Sequence, residues 1–449
     1  MRMMKILFLT GKMALQRLEK TLAELSAREF DYEVRNIGVN VASLMTAEMI
    51  ARRLEDTGGA EQIIVPGLCR GDLQQVEDKF KIPVIRGCND LKDLPVFFGQ
   101  KAKKLDLSHH DVRIFAEIVE AAEISVEQIV ERAERYRSDG ADVIDLGCLP
   151  GTDFPHLEDA VHSLKGEGFR VSVDSLETDE LLRGGKAGAD YLLSLKQSTI
   201  WVSDEVESVP VLIPENHPDP ATLYASMEKL DKTGKNYIAD SILDPIHFGF
   251  TQSIIRYAEL RERFPQADVM MGIGNLTELT EADTSGINAI LFGVISELGI
   301  NNVLATEVSP HACRAIKEAD FARRMFYAAR QESSLPKGID DKLLTTHERN
   351  PFPYSAEEIA ELAAEVKDPS YRVQLSASDI NVYNRDGIWK SKDPFEIFGQ
   401  LKELENDPSH AFYMGVELAR AQIALKLGKR YWQDRELNWG VASKDSDEK

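Results

Sequence analysis

Between about residues 111 and 330 the chain repeats one unit eight times: a short apolar run of β character, polar residues at its end, then a stretch with helical apolar spacing. Eight such units close into a (β/α)8 barrel, whose ligand-facing groups sit at the carboxyl ends of the strands. The predicted strands are 112–119, 142–147, 169–174, 190–195, 209–214, 237–243, 269–273 and 303–308. Seven of them lead into helical spacing. After the fourth, residues 196–207 are too few for a full crossover helix and predict a shortened turn carrying Trp201.

A chain of 449 residues exceeds one core of ordinary size, so flanking domains are expected. Ahead of the barrel, strands at 5–10, 32–37, 62–66 and 83–86 alternate with helices at 14–26, 46–55 and 73–80, which predicts a small parallel sheet. Behind it, a polar stretch rich in Gly and Pro at 333–351 reads as a linker. Helices are expected at 357–366 and 410–427. Between them 372–382 alternates as one strand, and Asn384-Arg385-Asp386-Gly387 turns the chain into a hairpin reaching 388–390. The charged end, 443–449, is expected to be disordered. The fold class is therefore α/β: a (β/α)8 TIM barrel at 106–333, preceded by a small parallel α/β domain at 1–105 and followed by a small α+β domain at 350–442.

A net charge of −22 without a basic patch excludes nucleic acid as a partner, and no apolar run is long enough to span a membrane. Cys69, Cys88, Cys148 and Cys313 lack CxxC spacing, which predicts a reducing, cytoplasmic setting with neither disulfides nor a thiolate zinc site. The apolar barrel helix at 312–329 suits a homodimer contact, and either terminal domain suits a partner protein. Thr10-Gly11-Lys12 reads either as half of a phosphate cradle or as a tight strand-to-helix turn, the turn being favoured because GxxxxGK[ST] is incomplete. Arg70 and Arg86 follow later strands at a ligand-binding type of edge, or are solvated turn residues.

The barrel strands place Asp145, Asp174 and Asp244 at the ends of strands two, three and six. A carboxylate accepts two hydrogen bonds side by side, which suits a ring N–H beside an exocyclic amine; the competing reading of each acid is a helix cap. Gly140-Ala141-Asp142-Val143-Ile144-Asp145-Leu146-Gly147, Ser172-Val173-Asp174-Ser175 and Leu243-Asp244-Pro245 with Phe248-Gly249 resemble, in order and spacing, the motifs of the pterin-binding barrel family. That family holds the dihydropteroate synthases and the corrinoid-dependent methyltetrahydrofolate methyltransferases. The resemblance covers about half the chain. It implies that Asp174 and Asp244 hold a pterin ring over a floor supported by Asp145.

Departures from the synthase pattern are specific. Cys148-Leu149-Pro150-Gly151-Thr152 replaces a Thr-Arg loop, and Leu193 with Ser194 replaces an Asn. Gly274-Asn275-Leu276 replaces Ser-Arg-Lys, Asn275 resembling instead the pterin contact of the methyltransferases. Departing diphosphate would then need other charges: Lys196, His311 and Arg314 are the candidate catalytic groups, with His217 a further cation. Glu117 and Glu120 stand where the resemblance places a metal-binding Asn, and their oxygens suit Mg²⁺; the alternative is a Glu117–Lys196 ion pair inside the rim. His247 reads as pocket wall.

The three-part layout is similar to dihydropteroate synthase-related proteins of archaea and methylotrophic bacteria, through Asp240-Ser241-Ile242-Leu243-Asp244-Pro245-Ile246, Gly272-Ile273-Gly274-Asn275-Leu276-Thr277-Glu278 and Thr306-Glu307-Val308-Ser309-Pro310-His311. The tail segment Phe412-Tyr413-Met414-Gly415-Val416-Glu417-Leu418 resembles methanopterin-dependent methyltransferase subunits. The resemblance implies a transferase that condenses a 6-hydroxymethyl-dihydropterin diphosphate with a ribofuranosyl-aniline phosphate in tetrahydromethanopterin biosynthesis. The alternatives are a methyl-pterin methyltransferase working with a corrinoid partner, and a non-catalytic pterin carrier.

Overall fold

The computed structural model describes residues 3–25, 30–100 and 105–443; of the predicted disordered end 443–449 only Ser443 is described, where it bonds Trp439 and Asn438, and the end of the first predicted helix, Ser26, lies outside the described residues. The chain forms two compact units, one of 1–107 with 328–336, the other of 108–327 with 337–449.

In the first unit β1 (Met4–Thr10), β2 (Phe30–Asn36), β3 (Gln62–Val65) and β4 (Val84–Arg86) form a parallel sheet in the order β2-β1-β3-β4. Alternation along β1 explains its two cores. Leu7 and Leu9 pack with Ile63 and Val65 on one face, while Ile6 and Phe8 pack with Ile64 and Leu22 on the other. Both faces being covered, the central strands β1 and β3 are apolar in most positions, whereas the edge strand β2 alternates apolar with charged residues.

The second unit is built on a closed parallel barrel of eight strands: β5 (Arg113–Ile118), β6 (Val143–Gly147), β7 (Val171–Asp174), β8 (Tyr191–Leu195), β9 (Val209–Leu212), β10 (Ile238–Ala239), β11 (Asp268–Gly272) and β12 (Asn302–Thr306). Every predicted barrel strand is present. The sixth is shorter than expected, two residues where 237–243 was expected, because the chain leaves the sheet at Asp240. The weak fourth crossover is a 3-10 turn, Ile200–Asp204, as its length requires. Helix Val126–Ser138 starts on a capping box in which Ser125 and Gln128 satisfy each other's backbone N–H groups. Alternate residues point inward: Phe115, Val143, Leu193, Val211, Ile238 and Met270 fill the lower barrel with apolar side chains.

The segment 372–382 is two strands, not one. β13 (Arg372–Leu375) and β14 (Ile380–Asn384) pair antiparallel around a turn at 376–379, where the Ser376 hydroxyl and N–H bond Asp379. β15 (Gly387–Ser391) completes the predicted hairpin, and helices Ala356–Glu365 and Pro408–Leu427 flank the sheet. Lys429 is fully buried and donates to the carbonyls of Thr345, at 2.7 Å, and Asn438, with the Trp439 ring 4.5 Å away. No described helix is long and apolar enough to cross a membrane, and all four cysteines are free thiols.

Candidate functional site

Two residues beyond the apolar layer, the same inward positions carry acids. Glu117 follows Phe115, Asp145 follows Val143 and Asp240 follows Ile238, each at the strand spacing that keeps a side chain on one face. The register sets Glu117 beside Asp145 on the neighbouring strand, Asp145 beside Ser172, and Asp174 beside Gly147. Glu117, Asp145 and Asp174 each offer an oxygen within 4.8 Å of the others. Gly147 makes this possible, since a Cβ there would lie 2.8 Å from the Glu117 carboxylate.

Asp145 is wholly buried. One of its oxygens accepts the Ser172 hydroxyl, and the other has no hydrogen-bond partner among the described residues. Burial, with Asp174 and Glu117 adding negative charge, pushes its carboxyl well above the usual range. Burial likewise raises Glu117 to about 8, reinforced by Asp174, Glu120 and Glu278, and raises Asp174 against a hydrogen bond from Ser194. Asp240 rises to about 6 through burial, although the Tyr257 hydroxyl at 2.6 Å and the Ile242 N–H at 2.7 Å both donate to it. Carboxylates crowded in a low-dielectric pocket retain protons or take up a ligand rich in positive charge or N–H donors.

Two strained residues aim this pocket. The pairing of β8 with β9 slips between Leu192 and Leu195, a bulge that leaves Ser194 at φ +67° with its hydroxyl 2.6 Å from Asp174. Ile242 at φ +65° is a conformation that a β-branched residue rarely adopts. It is held by its N–H on Asp240 and by Arg256 on its carbonyl, at 2.9 Å.

Asp244 stands apart from the inner cluster. Its two oxygens are taken by His217 at 2.6 Å, by the nearly buried Arg256 at 2.7 Å and by the Ser253 hydroxyl at 3.0 Å. Those bonds outweigh burial, and its carboxyl lies below the usual range. A glycine is required beside it: Gly249, at φ +131°, has room for no Cβ because the Asp244 carboxylate lies 2.7 Å from where it would be. Asn275 is exposed and donates to the Leu243 carbonyl at 2.7 Å.

The proposed cationic and metal groups are dispersed. Glu120 pairs with Arg132 at 2.6 Å instead of completing a site with Glu117. Lys196 neighbours Glu215, and among the described residues no ion pair joins it to Glu117. His311 contacts the Thr277 carbonyl at 3.1 Å, and Arg314 is exposed beside Cys313. The exposed His247, at φ +70°, faces solvent. Sequence reading missed Asp240, which the two-residue alternation from Ile238 could have supplied. It also missed Arg256, for which a helix 12 residues beyond Asp244 gave no signal. In the first unit Arg86 donates to the Cys69 carbonyl at 2.8 Å, so it is a turn-bracing residue.

Residues 4–89 match the model of a family of unknown function, DUF6513. An uncharacterized protein of Methanocaldococcus jannaschii is 26% identical over 530 aligned residues, 97% of this chain and 99% of that protein. Among solved structures, the dihydropteroate synthase of Thermus thermophilus, in complex with 6HMPPP, is 17% identical over 50% of this chain and 95% of its own, with a TM-score of 0.39. The 7,8-dihydropteroate synthase of Vibrio fischeri is 13% identical over 52% and 100%, also at 0.39.

Proposed function

We propose that the barrel binds a reduced pterin and works as a transferase of dihydropteroate synthase type, condensing a 6-hydroxymethyl-dihydropterin diphosphate with a ribofuranosyl-aniline phosphate in tetrahydromethanopterin biosynthesis. The observation that carries the pterin reading is the unpartnered buried oxygen of Asp145, facing Glu117 and Asp174 above an apolar floor. A 2-amino-4-oxopyrimidine edge presents adjacent N–H donors, which satisfy such oxygens without bringing a full charge into the pocket. The sequence motifs around Asp145, Asp174 and Asp244 support the same ligand. Asp145, Asp174 and Asp240 accept N–H groups of the ring in this reading, Ser194 fixes the Asp174 carboxylate, and Asp244 with Arg256 forms the pocket wall.

The reaction needs little from the protein beyond placement. The aniline nitrogen attacks the pterin methylene carbon, the carbon–oxygen bond to diphosphate breaks, and the nitrogen loses its proton. Holding the two reactants in line accounts for a large part of such an acceleration. Lys196, His311 and Arg314 remain candidates for the leaving charge at the rim, outside the acid cluster. The same three carboxyls also fit a hard divalent cation such as Mg²⁺, with Glu117, Asp145 and Asp174 as ligands in place of the Glu117–Glu120 pair. A bound cation would supply neutralisation of phosphate oxygens.

Calorimetric titration with the pterin diphosphate, with and without Mg²⁺, followed by the aniline phosphate and an assay of diphosphate, tests both. Binding that disappears in Asp174→Asn, with diphosphate released on adding the acceptor, is the expected result. Pterin binding without release favours the methyltransferase or carrier alternative. Absence of pterin binding rejects the reading, and Mg²⁺ binding that excludes the pterin assigns the acids to the cation.

A further inference from the structure

The order β2-β1-β3-β4 in the first unit places a reversal of chain direction at its centre. The chain passes from β1 to β2 on one side and returns across to β3 on the other. At such a switch point the loops leaving the two carboxyl ends diverge, and a crevice opens between them. A cavity of about 600 Å³ occupies that position, walled by Thr10 of β1, Pro66 and Leu68 after β3, Asn89 after β4, and Ala14 and Arg17 from the helical turn after β1. Its size is that of a small-molecule site.

Three features define what fits. The loops are pressed together at glycines: a Cβ on Gly11 would meet the Ala42 nitrogen at 2.7 Å, and one on Gly67 would meet the Cys88 backbone at 2.7 Å. The loops that frame the cavity are therefore closely packed against one another at these points. The polar groups are neutral. Thr10 is 2% exposed and its hydroxyl has only a 3.5 Å contact to the neighbouring Gly11 carbonyl, and the Asn89 carboxamide has no hydrogen-bond partner among the described residues. Finally, the ionic groups cancel, since Arg17 pairs with Asp90 at 3.4 Å, and the remaining lining is mostly apolar. Lys12 lies outside the lining, so the phosphate-cradle reading of Thr10-Gly11-Lys12 gains nothing from it.

We propose that the carboxyl edge of this sheet is a second small-molecule site, separate from the barrel mouth and shaped for an uncharged, flat heteroaromatic ring. The ring lies against Leu68 and the glycine loops, and its polar edge meets Thr10 and Asn89. The site does not depend on the pterin assignment of the barrel.

The probe is lumichrome, an uncharged tricyclic heterocycle, titrated into the full chain and followed by quenching of its fluorescence, beside flavin mononucleotide, a related ring system bearing a phosphate. Saturable binding of lumichrome, with the phosphorylated compound weaker by tenfold or more, is expected. Ala14→Trp, which fills the cavity from a partly exposed helix position, should abolish the binding, and Thr10→Val should weaken it about tenfold. Both variants should keep the thermal midpoint and the pterin titration of the parent. Asp174→Asn should leave lumichrome binding unchanged. No saturable binding, tighter binding of the phosphorylated compound, or binding that survives Ala14→Trp and fails in Asp174→Asn would each overturn the proposal.

Discussion

At the amino ends of the barrel strands Arg113 meets Asp268 at 3.1 Å, and the buried Arg323 reaches Asp142, Asp320 and the carbonyls of Val112 and Gly140. At the carboxyl ends Glu117, Asp145, Asp174 and Asp240 crowd together, and among the described residues none of the four has an ion-pair partner. The same eight strands thus carry matched charge at one end and unmatched charge at the other. Matched pairs close a fold, whereas unmatched acids destabilise it until something binds. The contrast sets the end of the barrel that holds the chain together apart from the end where the proposed ligand would bind.

Four substitutions would break or sharpen that contrast. Arg323→Ala strikes the matched end, leaving Asp142 without its guanidinium and Asp320 with that of Arg324 alone; about 3–5 kcal/mol of stability should go in urea unfolding. A loss under about 1 kcal/mol would mean that these charges do not fasten the barrel. Glu117→Gln strikes the unmatched end and should do the reverse. The folded chain holds the Glu117 proton to about pH 8, while the unfolded chain releases it near the ordinary 4.5, so its destabilising effect is absent below about 4.5 and complete above about 8. The variant should match the parent near pH 4 and exceed it by something on the order of 3 kcal/mol at pH 9. A difference independent of pH would refute the unmatched-charge account.

Asp244→Asn probes a mouth acid that is paired. Sequence reading alone expects this change to cost pterin binding and leave the fold intact. The pairing with Arg256 and His217 predicts in addition a loss of about 2 kcal/mol, because a nearly buried guanidinium loses its counter-charge. Unchanged stability alongside lost binding would return Asp244 to the ligand-holding set. The smallest effect concerns backbone strain. His247 is exposed with a left-handed φ, and His247→Gly should gain about 0.5–1 kcal/mol in thermal unfolding. A loss there would show that the loop depends on the imidazole.

The barrel was legible because its units differ from one another in little except length, and the period of apolar residues changes from 2 to 3.6 at each strand end. The weak fourth crossover could be read for the same reason. The split of 372–382 shows in the sequence only as Ser378-Asp379, two successive polar residues that shift the phase of an otherwise regular alternation. At the site, Asp145 and Asp174 stood out as acids closing apolar runs. The assignment of Asp244 and Glu120 to open positions depended on which distant Arg turns toward them, and a linear pattern does not carry that information. Ser194 reaches Asp174 only through a bulge, a feature of pairing between strands.

The Lys429 clasp ties two parts of the chain separated by 84 residues, with the Thr345 carbonyl waiting for an ammonium that is added much later. During synthesis at about 5–20 residues per second, roughly 4–17 s elapse between the two. For that interval the complete barrel is followed by a stretch whose anchor does not yet exist.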